Sequence, residues 1–418
     1  MALVAGPSKR ALAFRVAKGI GVGFATVQAA TIAGLIAYDA AKKRTRKRRS
    51  GFPQPGSFST AVGSTEVLIH TYGATLFDDM IASIESAESS VLFETYLWKN
   101  DEVGQRFKRA VNDAAERGVD VRVIYDGFGN LVVDPRFFRF SPKVKVFRFP
   151  VLRRRMFVNP MLSSGLTHRK ILVVDDDVAY VGGYNIGSLY ATQWRDTHVK
   201  LTGPEAWELR QSFVFVWNRL QKKYPEVPRV ESRGAWDARV RSVDNLPARR
   251  VYPIRAMYLE AIDKADNHIY LTTAYFIPDQ QILDALIRAS QRGVDVQIML
   301  PMESNHVLAD FASRGFWRPL LDADVTVLLY EHAMIHAKTM TVDGRWATIG
   351  TANIDRLSLT FNYEVNAEIV DRDVARAMEE VFLTDAENCH VLTREEWQSR
   401  HFVARFAEIV IAPLGPFL

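Results

Sequence analysis

Two histidine–lysine pairs are the residues of this chain best suited to catalysis. In each pair the lysine follows the histidine by two positions, and an aspartate follows the histidine by seven. The residues are His168, Lys170, Asp175, His336, Lys338 and Asp343. Two histidines suit a two-step displacement, in which one attacks and the other handles the proton. A lone histidine is more often structural, but an identical second copy points to a catalytic site.

The repeat extends to two further pairs of polar residues. An asparagine recurs at Asn185 and Asn353, and an acid recurs at Asp196 and Glu364. The members of every one of these pairs are 168 residues apart. A carboxylate on one ring nitrogen fixes the histidine tautomer and leaves the other nitrogen free to react. Lysine and asparagine donors hold a phosphate and stabilise its developing charge.

The sequence predicts neither a metal nor a cofactor. The donors around the candidate phosphate need no metal, and the single cysteine, Cys389, excludes a cysteine-based zinc site. His332 and His336 have a helical zinc spacing, but no Glu-x-x-His context accompanies them and His336 lies in a strand pattern.

Repeated strand and helix patterns must position these residues. A strand pattern at 91–96, a helical stretch and a strand pattern at 119–124 recur at 269–275 and 294–299. Alternation of strands and helices predicts an α/β fold with mixed, largely parallel sheets. His168 and Lys170 precede an apolar strand pattern and point the same way, because side chains alternate along a strand.

Aromatic residues end the first strand of each half. Tyr96, Trp98, Tyr275 and Phe276 occupy positions that fit either a pocket lining or the hydrophobic core.

The double HxKxxxxD pattern, followed by Gly182/Asn185 and Gly350/Asn353, resembles the phospholipase D superfamily. The stretches 273–278, 335–343, 349–353 and 361–364, and the tail from Glu395, are most similar to bacterial cardiolipin synthases. The resemblance covers about residues 65–418. It departs at Gly183 and Thr351, where the superfamily often has serine.

The resemblance implies two α/β lobes related by a pseudo-twofold axis, with one active site between them. It implies a phosphohistidine intermediate, with His168 as nucleophile and His336 as general acid and then base. Lys170, Lys338, Asn185 and Asn353 would bind phosphoryl oxygens, and Asp196 and Glu364 would orient the histidines. Asp175 and Asp343 belong to the motif, and their turn positions indicate at least a structural role.

The implied reaction makes cardiolipin from two phosphatidylglycerol molecules and releases glycerol. A phospholipase D that uses water in the second step is the first alternative. A phospholipase D-type nuclease is the alternative from another functional class.

The net charge of +5 divides unevenly along the chain. Residues 1–50 hold eleven basic residues against Asp39 alone, whereas the remaining residues hold 42 basic and 47 acidic side chains. An acidic body disfavours a nucleic-acid partner, because such binders need a basic working domain. The basic segment instead favours an anionic membrane surface.

The uncharged run at residues 19–38, followed by seven basic residues at 42–49, predicts a membrane anchor with the body on the cytoplasmic side of a bacterial inner membrane. A cleaved signal peptide and an amphipathic targeting sequence remain alternatives. We expect an anchor segment at 1–50, a linker at 51–64, and lobes at 65–235 and 236–418.

Overall fold

The computed structural model describes residues 18, 26–41, 52, 56–150, 165–228 and 239–417. The basic stretch at 42–49 and the expected lobe boundary near residue 235 lie outside these residues.

The first lobe is built on an eight-stranded mixed sheet. Its strand order is β1-β2-β9-β7-β6-β3-β4-β5, and a short strand, β8, lies outside that sheet. The strands are β1 Ser57–Val62, β2 Thr65–His70, β3 Ser90–Thr95, β4 Asp120–Asp126, β5 Lys145–Phe149, β6 Ile171–Val174, β7 Val178–Gly182, β8 Trp194–Arg195 and β9 His198–Thr202.

The second lobe repeats the arrangement. Its sheet has the order β10-β19-β17-β16-β11-β13-β14-β20, with the short strands β12, β15 and β18 outside it. The strands are β10 Val240–Asn245, β11 His268–Thr272, β12 Phe276–Ile277, β13 Asp295–Pro301, β14 Thr326–Tyr330, β15 Met334–Ile335, β16 Thr339–Val342, β17 Trp346–Gly350, β18 Ile354–Asp355, β19 Glu364–Ile369 and β20 Cys389–Val391.

The helices connect and cover these strands. They are α1 26–41, α2 Gly73–Glu85, α3 Glu102–Glu116, α4 Ser188–Thr192, α5 Ala206–Leu220, α6 Pro253–Asp263, α7 Gln280–Gln291, α8 Val307–Arg314, α9 Trp317–Asp322, α10 Arg356–Thr360, α11 Arg372–Ala386, α12 Arg394–Ser399 and α13 Phe402–Ile411. One apolar cluster joins the lobes, since Val181 and Val199 of the first pack with Ile349 and Val365 of the second.

The sheets are mixed, as predicted, but the expectation that they are largely parallel is wrong. Only β3-β4-β5 and β11-β13-β14 pair in parallel; the other neighbours in both sheets are antiparallel. Parallel neighbours need a long crossover, whereas short turns join antiparallel strands. The three-residue turns at 175–177 and 343–345 therefore make the motif strands antiparallel hairpins.

The expected linker at 51–64 also needs correction, because residues 57–62 form the edge strand β1. Phe58, Thr60 and Val62 give this stretch the alternating pattern of a strand despite its small and polar neighbours. Gly63 has a φ of 58°, which permits the tight turn into β2.

The described part of the uncharged N-terminal run is the helix α1. It packs on the second lobe: Ile32 and Leu35 contact a cluster that contains Ile277 and Ile411. Across the described residues, no helix combines the length and apolarity needed to cross a bilayer.

Candidate active site

A cavity of about 530 Å³ contains both motif histidines. Its polar and aromatic lining comes from both lobes: Asp39, Tyr96, His168, Asn185, Tyr190, Trp194, Tyr275, Asn305, His306, His336, Asn353, Asp355, Ser358 and Asn362. Its apolar lining is Ile36, Leu97, Leu166, Ile277, Val307, Leu308, Ala309 and Leu357. The structure thus brings both histidines and both asparagines of the repeat to one site.

His168 is held by the opposite lobe through its backbone and its ring. Its backbone N–H donates to the carbonyl of Tyr363 at 3.0 Å. Its Nδ1 lies 3.0 Å from Oε2 of Glu364 and 3.1 Å from the carbonyl oxygen of Thr351. Both neighbours only accept hydrogen bonds, so Nδ1 carries the proton and Nε2 keeps its lone pair.

His336 is held in the same manner by the first lobe. Its backbone N–H donates to the carbonyl of Arg195 at 2.6 Å, and its Nδ1 lies 2.7 Å from Oδ2 of Asp196. Arg195 of β8 is fully buried and pairs with Asp385 at 2.6 Å, which fixes β8 against the second lobe. Each histidine is therefore oriented by a carboxylate from the other half of the chain.

The two motif lysines lie buried beneath the histidines. Lys170 Nζ donates to the carbonyl of His168 at 2.7 Å, and Lys338 Nζ donates to that of His336. Burial lowers the pKa of Lys170 to about 7 and that of Lys338 to about 8. Burial also lowers the pKa of both histidines, so at neutral pH their rings are mainly uncharged in the ligand-free site.

We expect the activity to decline with rising pH, and the decline should begin at a lower pH than is usual for a site that depends on lysine. A lysine binds phosphate only while protonated, so its contribution is present below its pKa and lost above it. With lysine pKa values of about 7 and 8, kcat/KM should fall by about tenfold or more between pH 7 and pH 9. The measurement is kcat/KM across pH 6–10.

The control for this pH profile is Lys170→Arg, which stays cationic throughout the range. If deprotonation of Lys170 causes the decline of kcat/KM at high pH, the residual activity of that variant should decline at higher pH than that of the wild type. A flat wild-type profile up to pH 10 would contradict the lowered lysine pKa values.

The two asparagines differ in their hydrogen bonding. Asn185 Oδ1 accepts from the backbone N–H of Leu97 at 3.2 Å. Asn353 Oδ1 is buried and lacks a hydrogen-bond partner among the described residues. Buried polar atoms are normally satisfied, so this amide suits a ligand in the cavity.

The structure does not place the motif aspartates Asp175 and Asp343 at the cavity, which corrects their inclusion among the catalytic candidates. Asp175 accepts hydrogen bonds from the backbone N–H groups of residues 88–90, at 2.8 to 2.9 Å. Asp343 accepts in the same way from the N–H groups of residues 266–268. Each aspartate therefore ties a motif hairpin to the chain at the start of β3 or β11. The strand β6 or β16 lies between each aspartate and its histidine, so the aspartates do not line the cavity.

Replacement of Asp175 by alanine is expected to lower the stability of the protein rather than its kcat. Three backbone N–H groups lose their acceptor, which costs about 2 kcal/mol of unfolding free energy. Chemical denaturation and kcat of the folded fraction provide the test, with the exposed neighbour Asp177→Ala as control. Normal stability with lost turnover would instead assign Asp175 a catalytic role.

The departure at Gly183 has a local cause. A β-carbon there would lie 2.1 Å from Oδ1 of Asp196, so glycine lets this carboxylate approach the turn. The equivalent residue of the second half, Thr351, donates its hydroxyl to Oε2 of Glu364 at 2.6 Å. The two halves thus position their carboxylates differently.

The aromatic residues that end the first strands divide between the cavity and the core. Tyr96 and Tyr275 line the cavity, and the Tyr96 ring lies 4.9 Å from that of His168. Trp98 and Phe276 are fully buried in the core.

Sequence reasoning missed several lining residues that occupy equivalent positions in the two halves. Tyr190 and Ser358 are 168 residues apart, as are Trp194 and Asn362, and all four line the cavity. Their residue types differ between the halves, so the recurrence of like residues that identified the motifs did not identify them.

Asp355 is a missed residue that breaks the repeat. The equivalent position in the first half is Gly187. The Asp355 carboxylate accepts from the backbone N–H of Ser358 at 2.7 Å, and burial raises the pKa of Asp355 to about 7. It gives the second-lobe side of the cavity a carboxyl group that the first-lobe side lacks at that position.

Two features define the class of fold. The two sheets share one order of corresponding strands, apart from the edge strands β1 and β20, and each motif histidine contacts a carboxylate from the other lobe. A solved phosphatidylserine synthase from Haemophilus influenzae Rd KW20 has a similar fold, with a TM-score of 0.65 and 16% identity. The match covers 87% of this chain and 97% of that one.

Sequence comparisons identify the family within this class. The family model described as "Cardiolipin synthase, PLD-like domain" matches residues 80–217 and 258–386. A cardiolipin synthase of Listeria monocytogenes serotype 4a (strain HCC23) is 32% identical over 368 residues, which cover 84% of this chain and 75% of that protein. Cardiolipin synthase 2 of Staphylococcus epidermidis (strain ATCC 35984) is 33% identical, covering 84% and 74%. The chain belongs to the cardiolipin synthase family of phospholipase D-like proteins.

Proposed function

We propose that the chain is a phosphatidyltransferase that makes cardiolipin from two phosphatidylglycerol molecules and releases glycerol. The observation that carries the proposal is the reciprocal pairing of His168 with Glu364 and of His336 with Asp196 at one cavity. Relatives named cardiolipin synthase support the choice of lipid chemistry.

In the first step, Nε2 of His168 attacks the phosphorus of phosphatidylglycerol. The bond from phosphorus to the glycerol oxygen breaks, and His336 donates a proton to that oxygen. Protonation of His336 is favoured by the negative charge of the bound phosphodiester, which opposes the nearby lysine charges. Lys170, Lys338, Asn185 and Asn353 would bind the phosphoryl oxygens as charge develops.

In the second step, a glycerol hydroxyl of another phosphatidylglycerol attacks the phosphatidyl-histidine. His336 accepts the proton of that hydroxyl, and the phosphorus–nitrogen bond to His168 breaks. Both histidines return to their starting states, so the cycle needs no further reactant. Glu364 and Asp196 would keep each ring in the reactive tautomer.

The cavity walls support a lipid substrate over a nucleic acid. Aliphatic and aromatic side chains from both lobes surround the histidines, and these suit acyl chains. The body carries more acidic than basic side chains, which opposes binding to a polyanion.

The proposal includes a place at the cytoplasmic face of a bacterial inner membrane. The basic residues at 42–49 would remain on the cytoplasmic side and bind anionic lipid headgroups.

The test gives the purified chain phosphatidylglycerol in detergent and identifies products by mass spectrometry. Cardiolipin plus glycerol is the expected result, unchanged by a chelator. Phosphatidic acid plus glycerol without cardiolipin would instead establish a hydrolase, and DNA nicking without lipid turnover would establish a nuclease. Either outcome would refute the transferase.

A further inference from the structure

Two helices at opposite ends of the chain lie side by side near the cavity. The Gln28 side chain of α1 donates to the carbonyl of Val410 in α13 at 2.9 Å. Ile32 and Leu35 of α1 pack on the cluster that contains Ile411 of α13. The two helices therefore form one continuous surface.

The polar side chains of α1 lie on the opposite face from those of a helix that faces water. Its partly buried stripe contains the polar residues Gln28, Thr31 and Asp39 together with Ile32 and Leu35. The polar groups on its exposed positions are the side chain of Thr26 and the hydroxyl of Tyr38. The other exposed positions are Val27, Ala29, Ala30, Ala33, Gly34, Ile36, Ala37, Ala40 and Ala41. Surface helices of soluble proteins place their polar residues outward, so this face suits an apolar medium.

Helix α13 adds large apolar side chains to the same surface. Phe402 is 72% exposed and Ile409 is 70% exposed, and Val403 and Phe406 are more than half exposed. Of the sixteen large hydrophobic side chains that are exposed in the described residues, seven lie on α1 and α13. Such a concentration marks an interaction surface rather than scattered exposure.

This surface borders the cavity. Ile36 and Asp39 of α1 line the cavity that holds His168 and His336. Leu308 of α8 also lines it and packs in the same cluster as Leu35. A lipid on this surface is therefore at the entrance of the candidate active site.

We propose that the exposed faces of α1 and α13 form a docking face that inserts into the headgroup region of an anionic phospholipid bilayer. We define this docking face by Val27, Ile36, Tyr38, Phe402, Val403, Phe406 and Ile409. The proposal deepens the proposed function, on which it rests, because lipid substrates would pass from the bilayer into the cavity without crossing water.

Charge supports a bilayer over a second copy of the chain. Directly after α1 the sequence continues into seven basic residues at 42–49, which complement anionic headgroups. Two copies that joined through this face would each carry these seven basic residues next in sequence to α1, and repulsion between like charges opposes such a contact. Phenylalanine and isoleucine beside basic residues are typical of helices that lie in a membrane interface.

The experiment compares the triple variant Phe402→Ser, Phe406→Ser, Ile409→Ser with a matched control. The control, Val370→Ser, Leu383→Ser, Val391→Ser, removes three aliphatic side chains that are exposed elsewhere on the second lobe. The full-length chains are tested for flotation with phosphatidylglycerol–phosphatidylcholine vesicles. Turnover is measured on these vesicles and on monomeric dihexanoyl phosphatidylglycerol.

The triple variant is expected to lose about tenfold or more in vesicle binding and vesicle turnover, while monomer turnover stays within about twofold of wild type. The control should behave as wild type in both assays. Wild-type binding by the triple variant, or a loss of self-association without a loss of vesicle binding, would overturn the docking face. Failure of the proposed function has a different signature, since wild type would then turn over neither substrate while flotation still reports docking.

Discussion

Alanine at His168 or at His336 is expected to lower cardiolipin formation by about 10⁴-fold or more. The nucleophile and the proton-transfer group act as a unit, so loss of either leaves only binding and electrostatic stabilisation. The His336 ring is buried and the His168 ring is partly buried at one cavity, and both are held by backbone and carboxylate contacts, so each substitution removes a preorganised group. Steady-state turnover of phosphatidylglycerol measures the loss.

The two alanine variants also test the order of roles. With labelled phosphatidylglycerol and long incubation, His336→Ala should slowly form a phosphatidyl adduct that persists on the protein, because His168 is intact while both proton transfers by His336 are lost. His168→Ala should form none. The surface residue His390, which pairs with Glu396, supplies the control His390→Ala. An adduct in His168→Ala but not in His336→Ala would reverse the roles of the two histidines. Unchanged turnover in both variants would refute the site.

The second large effect is expected from the carboxylates that cross between the lobes. Glu364→Gln and Asp196→Asn should each lower kcat by about 10³-fold, since an amide no longer fixes the reactive tautomer of the histidine. Burial raises the pKa of Asp196 to about 6, so it is mainly ionised at neutral pH and its replacement removes a charge. Single-turnover kinetics on phosphatidylglycerol measure the effect on each step.

The crossing predicts which step each variant impairs. Glu364→Gln should slow adduct formation, and the double variant with His168→Ala should be no worse than His168→Ala alone. Glu368→Gln, on the same strand but bonded to Trp346, is the matched control and should turn over as wild type. If Glu364→Gln behaved as the control, Glu364 would not orient the nucleophile.

The repeat predicted much of the candidate site because one spacing of 168 residues linked its polar members. Both histidines and both asparagines lie at one cavity, and each carboxylate contacts a histidine. The spacing did not say which histidine each carboxylate contacts. That depends on backbone pairing between the lobes, where Thr167 bridges to Tyr363 and Ile335 pairs with Arg195.

Strand direction was predicted less well than strand position. Apolar runs located β3, β4, β6 and their counterparts, but alternation with helices fixed only the direction of the first strands in each half. The short turns after Val174 and Val342 decide the direction of the rest. Asp355 escaped notice because it has no counterpart in the first half, so no repeated pattern identified it.

The exchange of carboxylates has a consequence for how the molecule can be divided. A chain cut between the lobes would yield two fragments, each with a histidine that lacks its own acid. Neither fragment alone would be competent, and activity would return only through complementation. By the same reasoning, a single lobe can assemble this kind of site only by pairing with a second copy about a twofold axis.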